Sequence, residues 1–189
     1  MMKKVFLFVI LNIVGMTVNA QQDDNKASHS IVIVIPELAL LSLESATGTS
    51  INLKAIAPTE AGGTITFSPA DTSLWLNYSS IVGGVVALRN ITVQITDGEL
   101  PKGTVLSLIA SADAGEGDGT IGVPSGSINL SSSPQNIITA IGSAYTGKGL
   151  TKGHNLSFLL GLDTAEGSYA KLNINANKIL VVTYTLSDN

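Results

Sequence analysis

The chain has 189 residues, no cysteine and a formal net charge of −4. The absence of cysteine excludes disulfide-stapled folds, cysteine nucleophiles and cysteine-based metal sites. The acidic balance argues against a nucleic-acid partner, since such partners select a basic surface. Valine, isoleucine and threonine supply 50 residues, whereas glutamate, glutamine, lysine and arginine supply 20, so the composition favours strands over helices.

The first twenty residues have the layout of a secretory signal peptide. Lys3 and Lys4 precede an apolar run over residues 5–14, and Val18-Asn19-Ala20 places compact residues at a cleavage site. The run is shorter than the roughly 20 residues that span a membrane, although an uncleaved anchor is the alternative. We expect a bacterial protein of 169 residues (189 − 20) and charge −6 (8 − 14), exported to the periplasm, cell surface or medium.

The mature chain is predicted to form a flexible leader and one domain. Residues 21–30 (QQDDNKASHS) are polar and predict the leader. Ile31–Ile35, five β-branched residues before Pro36, predicts a strand buried on both faces. Over residues 31–189, short apolar stretches alternate with turn residues, which predicts an all-β domain, an immunoglobulin-like sandwich of roughly 8–10 short strands.

Alternating apolar residues mark the individual strands. The clearest strand is 90–96, with Ile91, Val93 and Ile95 on one face and polar residues on the other. Further strands are predicted at 50–57, 104–112, 135–141, 155–162, 171–174 and 179–186, and 38–43 is predicted to be a short strand or a turn of helix. Trp75, the only tryptophan, is interpreted as a core residue of the sandwich.

Two glycine-rich loops, 113–119 and 142–153, are candidate recognition loops, because sandwiches carry recognition at their ends. The first offers three carboxylates of the kind that bind calcium, but its spacing departs from the EF-hand pattern. A solvated hairpin is therefore favoured and calcium binding stays open; we predict no metal and no cofactor. The candidate ligand-loop residues are Asp113, Glu116, Asp118, Tyr145 and His154.

No combination of residues predicts catalysis. His29 lies in the leader, and we interpret His154 as a surface loop histidine. No Gly-x-Ser-x-Gly motif occurs. Pairs of carboxylates suited to glycoside hydrolysis remain open among fourteen acidic residues, although most of these lie in turn segments. We expect a protein without enzyme activity.

The strongest functional signal is the pair of apolar terminal strands, Ile31–Ile35 and 179–186. An exposed apolar edge strand promotes aggregation unless something pairs with it. Pairing of the two with each other inside one domain is favoured; donation of the first to a neighbouring subunit, which yields open fibres, is the alternative. The residues placed to mediate strand exchange are Ile31, Ile33, Ile35, Val181 and Tyr184.

Several stretches resemble secreted bacterial β-sandwich proteins of the fimbrial-subunit and spore-coat-U type. They are the signal peptide, the early apolar strand, residues 97–103 (DGELPKG) and residues 178–186 (KILVVTYTL). The resemblance implies an immunoglobulin-like sandwich and, as in some of those proteins, donor-strand exchange with a periplasmic chaperone. Many fimbrial subunits carry a disulfide, which this chain lacks. Residues 183–188 are also similar to the last strand of the WxL cell-wall-binding domain, with Tyr184 in place of its tryptophan.

Two functions follow as hypotheses. The leading one is a secreted structural protein of the bacterial surface, a fimbria-like subunit or adhesin that joins copies of itself or other surface subunits. The alternative is a secreted module that binds a glycan or another ligand through loops 113–119 and 142–153. A hydrolase comes third.

Overall fold

The computed structural model describes residues 25–84, 88–174 and 178–188. The predicted signal peptide at 1–20 and the start of the predicted leader lie outside the described residues. The chain divides into two units, residues 1–34 and residues 35–189. The described part of the first unit, 25–34, is exposed and contains no helix or strand.

The second unit is built almost entirely of strands, which confirms the predicted all-β class. The strands of its described residues are β1 Leu38–Glu44, β2 Ala55–Ile56, β3 Thr66–Phe67, β4 Asp71–Ile81, β5 Arg89–Asp97, β6 Thr104–Asp113, β7 Asp118–Gly119, β8 Val123–Pro124, β9 Ser127–Asn129, β10 Gln135–Ile141, β11 Ala144–Tyr145, β12 His154–Leu162 and β13 Val181–Asp188. Among the described residues the only helical element is a 3₁₀ turn, Tyr169–Lys171, and no helix is long and apolar enough to cross a membrane.

The strands form two main antiparallel sheets. The larger has the order β7-β11-β4-β12-β6-β9, with β1 paired to the other side of β4. The smaller has the order β13-β5-β10-β8, and β2 and β3 form a separate hairpin. Strand β1 is therefore an edge of the larger sheet, and β13 is an edge of the smaller one.

One hydrophobic core lies between the two main sheets, and this makes the domain sandwich-like. Alternate residues of β4, β5, β6 and β12 point inward, as period-two alternation requires, whereas the register of β10 is irregular and buries both Ile137 and Ile138. A fully buried leucine or isoleucine contributes about 1.5–3 kcal/mol of transfer free energy. The core residues are Leu74, Leu76 and Tyr78 of β4, Ile91, Val93 and Ile95 of β5, Leu106, Leu108 and Ala110 of β6, Ile137, Ile138 and Ile141 of β10, Leu156 and Phe158 of β12, and Leu130.

The predicted facing of β5 is confirmed, because Ile91, Val93 and Ile95 are buried while the residues between them are less so. Trp75 is only half-buried and lies outside the core cluster, so its predicted core position is wrong. It alternates with Leu74 and Leu76, which take the inward face of β4.

Two predicted strands are absent or much shorter. Of 50–57, only Ala55–Ile56 forms a strand, although Ile51 and Leu53 pack against the core. Their alternation reflects burial of side chains on a loop and not ladder pairing. Residues 171–174 begin in the 3₁₀ turn and contain no strand.

Candidate functional site

Ile31–Ile35 forms no strand, and each of its side chains is 73–86% exposed. The predicted strand buried on both faces is therefore wrong for the single chain. Strand β13 pairs with β5 along one side, from Val181↔Asp97 to Asp188↔Arg89, and its other side has no strand partner within the described residues. The apolar residues of 31–35 thus remain without the burial that their composition favours.

A groove of about 310 Å³ lies between the free edges of the two sheets. It is lined by Leu41, Ser42 and Leu43 of β1 and by Val182, Thr183 and Tyr184 of β13. Within the described residues β1 pairs only with β4, and β13 pairs only with β5. Each strand therefore presents one row of unpaired backbone groups at the groove.

Apolar side chains supply most of the groove lining, and Tyr184 carries an unsatisfied polar atom that is buried beside it. Leu41, Leu43, Val182 and Tyr184 are partly buried and pack against the core. The Tyr184 hydroxyl oxygen is buried with no hydrogen-bond partner in the described chain, and its burial raises the pKa of the phenol. An unsatisfied buried hydroxyl costs about 1–3 kcal/mol, so a partner that reached this atom would gain affinity. Val181, the other predicted exchange residue of β13, is 45% exposed.

Arg89 joins the two strands that line the groove, at the start of β1 and the end of β13. Its guanidinium is buried and forms ion pairs with Glu37, just before β1, and with Asp188, the last residue of β13. It also donates a hydrogen bond to the Leu38 carbonyl. Because β1 begins where β13 ends, the two strands run antiparallel along the groove. Sequence reasoning missed Arg89; the available signal was that it is the only arginine of the chain.

The two predicted recognition loops lie against each other. Asp118 in β7 pairs with Tyr145 in β11, and the amide of Ala114 donates to the Gly153 carbonyl over 2.8 Å. Glu116 forms an ion pair with the lysine that precedes Gly153. The fold thus brings 113–119 and 142–153 together into one surface, hereafter the loop pair, which the sequence did not predict.

The carboxylates of the loop pair are engaged in its own turns. Asp113 Oδ2 accepts a hydrogen bond from the Gly115 amide at 2.9 Å, and Asp118 Oδ1 accepts one from the Gly119 amide at 2.7 Å. Glu116 adopts a positive φ of 77° and carries the ion pair described above. In the described parts of the chain no group of three or more His, Asp or Glu side chains is placed to hold a metal ion.

His154 is not a surface loop residue, which corrects the sequence-based interpretation. It is the first residue of β12, it is 0% exposed, and its ring stacks on Tyr78 with centroids 5.7 Å apart. Nδ1 lies 2.8 Å from the Ser111 carbonyl, and Nε2 lies 3.4 Å from the Tyr78 hydroxyl. The sequence predicted a loop here because residue 153 is a glycine, whereas β12 already begins at the next residue, His154.

The chain matches no family model, no curated protein and no solved structure. The geometry above therefore carries the functional argument.

Proposed function

We propose that the protein is a secreted, non-catalytic structural subunit of the bacterial surface, and that its copies join by β-strand addition through Ile31–Ile35. The observation that carries this proposal is a run of five β-branched residues that is 73–86% exposed. Such residues have high strand propensity and gain free energy when buried. A run of this kind is a ready strand for a partner that offers a free sheet edge.

The groove between β1 and β13 supports the acceptor half of the proposal. It offers two sheet edges without a strand partner in the described residues and a mainly apolar lining. Successive residues of an added strand point to opposite sides, so Ile31, Ile33 and Ile35 would enter the groove together. Because β1 and β13 run antiparallel, the added strand would be parallel to one and antiparallel to the other.

Turn geometry favours a second copy as the donor. Folding Ile35 directly back beside Leu38 requires a two-residue hairpin at Pro36-Glu37. The favoured turns of this length need a positive φ at the first central residue, whereas proline holds φ near about −65°. The ion pair that fixes Glu37 to Arg89 further restrains this junction. We propose that a periplasmic chaperone covers the apolar run until it meets a second copy.

The environment of His154 supports the absence of catalysis. Both ring nitrogens are engaged, one by the Ser111 carbonyl and one by Tyr78, so neither is free to activate a serine.

Assembly is tested with purified mature protein, residues 21–189, by light scattering and electron microscopy. Wild type is expected to form ordered polymers as concentration rises. The triple variant I31D/I33D/I35D should stay monomeric with an unchanged melting temperature, whereas the control S28D/S30D should polymerise. A wild-type protein that stays monomeric at every concentration, with or without a chaperone, would refute the proposal.

The acceptor groove is tested by disulfide crosslinking, for which a chain without cysteine is well suited. Copies carrying I33C are mixed with copies carrying T183C in the groove, or with copies carrying N129C on β9, the far edge of the larger sheet. A crosslink to position 183 and none to 129 is expected. Polymers that crosslink only through position 129 would refute the groove as the acceptor site, while the proposal that the copies assemble would stand.

The loop pair supports ligand binding as a second candidate function. Its specific support is that two loops distant in sequence meet and present Tyr145, which is 51% exposed. Aromatic side chains at such positions are common binding anchors. On a glycan array, Tyr145→Ala should abolish any signal, and Tyr169→Ala, a tyrosine of similar exposure outside the loop pair, should not. Equal loss in both variants would contradict a role for the loops.

A further inference from the structure

The buried imidazole of His154 lies directly under the junction of the loop pair. Gly153 precedes it and holds the amide of Ala114 through its carbonyl. On the neighbouring strand β6, the residue opposite His154 in the register is Asp113, where the first loop begins. Both loops therefore start or end within one residue of the paired positions His154 and Asp113.

The hydrogen bonds around His154 are suited to a neutral ring. The Ser111 carbonyl at 2.8 Å can only accept, so Nδ1 carries the proton and Nε2 presents a lone pair. The Tyr78 hydroxyl, 3.4 Å away, donates to that lone pair and accepts from the Gly122 amide at 3.1 Å. A second proton on Nε2 would face a hydroxyl that already donates to it.

We propose that His154 acts as an acid-sensitive lock that holds the loop pair closed when neutral and opens it when protonated. The device is independent of assembly through Ile31–Ile35. Protonation places a full positive charge in a site with no exposure to solvent, which is costly unless a counter-charge is at hand. Opening the loop pair relieves this cost by admitting water.

The groups that face the ring determine the direction in which the pKa of His154 shifts. Burial lowers the pKa of His154 from its usual 6.5 and outweighs the opposing effects of the Ser111 carbonyl and the Asp113 carboxylate. Tyr78 on β4 stays neutral throughout the range, because burial raises its pKa to about 12. Among the other charged groups of the loop pair, Glu116 and Lys152 are joined in an ion pair.

Asp113 is placed to stabilise the open state. Its Oδ1 atom is buried with no hydrogen-bond partner in the described chain, whereas Oδ2 serves the turn at Gly115. Once the loops separate, the imidazolium and this carboxylate can pair in the presence of water. The contacts that must break are a two-residue strand pair, the backbone hydrogen bond between Ala114 and Gly153, and an ion pair whose lysine is 23% and whose glutamate is 66% exposed. Two more backbone hydrogen bonds join Thr120 to Ser143 and Gly142 beside this strand pair. Local opening is therefore cheaper than unfolding the sandwich.

Proton binding determines whether the closed form of the loop pair gains or loses stability as the pH falls. The open form binds a proton near pH 6.5 and the closed form resists it, so the closed form loses stability as the pH falls below about 6.5. The opening constant rises as the pH falls below 6.5, by at most about tenfold per pH unit, and levels off once the closed form is protonated as well. Above pH 7 the lock is closed.

The test uses full mature protein carrying His29→Asn, which leaves His154 as the only histidine. Its ring is titrated by NMR from pH 8 to 4.5, and amide exchange protection factors are measured in the loop pair and in β5. Protection of the loops should fall as the pH drops below 6.5, by at most about tenfold per pH unit, while β5 stays protected. His154→Phe should abolish this pH dependence.

Three results would overturn the proposal. The first is titration of His154 with constant loop protection. The second is an equal loss of protection in His154→Phe, and the third is simultaneous opening of β5, which indicates global unfolding. If His154→Phe does not fold, Asp113→Asn provides the second variant. Loss of the carboxylate should shift loop opening to lower pH. An unshifted transition would show that Asp113 has no role and would refute the lock as proposed.

Discussion

Arg89 and Asp188 tie the first residue of β5 to the last residue of β13, with Nε of the arginine 2.7 Å from Oδ1 of the aspartate. The arginine is buried, whereas the aspartate side chain is 67% exposed. The same guanidinium holds Glu37 and the Leu38 carbonyl. One side chain thus joins the start of β1 to the end of β13.

Replacing Arg89 by methionine should destabilise the domain by about 2–4 kcal/mol, because several hydrogen bonds to a charged donor are lost together. Asp188→Asn is the matched control. Its amide oxygen still accepts the bond and its carboxylate is largely in solvent, so the loss should stay below about 1 kcal/mol. Urea unfolding measures both values, and similar losses would contradict a central role for the guanidinium.

Leu108 and Ile109 test the register of β6. Leu108 is 0% exposed and Ile109 is 44% exposed, so these neighbours lie on opposite faces of the sheet. Leu108→Ala should cost about 2–5 kcal/mol, since it creates a cavity in the core. Ile109→Ala should cost under about 1 kcal/mol. Equal costs from thermal or urea unfolding would show that the strand is shifted by one residue.

Gly153 and Gly149 test the packing of the loop pair. Both have positive φ angles, 66° and 99°, so alanine is strained at either position. A Cβ at 153 would lie 2.6 Å from Asn77 Oδ1, whereas a Cβ at 149 meets open space. We expect Gly149→Ala to cost about 1 kcal/mol and Gly153→Ala clearly more. Comparable melting temperatures for the two variants would contradict this packing.

Alkaline pH should destabilise the domain through Tyr78. Burial raises its pKa from 10.0 to about 12, so between these values the unfolded state loses a proton that the folded state keeps. Stability therefore falls as the pH rises from 10 to 12. The midpoint of urea unfolding, measured across this range, should fall more steeply in wild type than in Tyr78→Phe. Parallel slopes would show that Tyr78 does not contribute.

The locations of the strands were largely predictable, because apolar and polar residues alternate along a strand that is buried on one face. Ile91, Val93 and Ile95 reported the inward face of β5 correctly. The same signal failed at Ile51 and Leu53, where a loop buries alternate side chains without ladder pairing. The strand prediction also failed at Ile31–Ile35, because β-branched residues favour burial in a sheet but do not determine which strand they would pair with.

The candidate sites were less predictable, since they join residues far apart in the chain. Tyr145 and Asp118 were both selected as loop residues, yet only the fold pairs them. His154 looked exposed because its neighbours are glycine-rich, whereas the register with Asp113 places it in the sheet. Arg89 was missed because its partners, Glu37 and Asp188, lie 52 and 99 residues away.

The sequence by itself determined the all-β class, most of the long strands and a set of candidate residues, because propensity and alternation act over a few neighbouring positions. The tertiary structure alone decided which edges stay open, which loops meet and where the imidazole lies. Those properties depend on strand order and register, and contacts between distant residues leave no periodic trace in a single chain. The groove beside Tyr184 and the buried ring of His154 both belong to this second class.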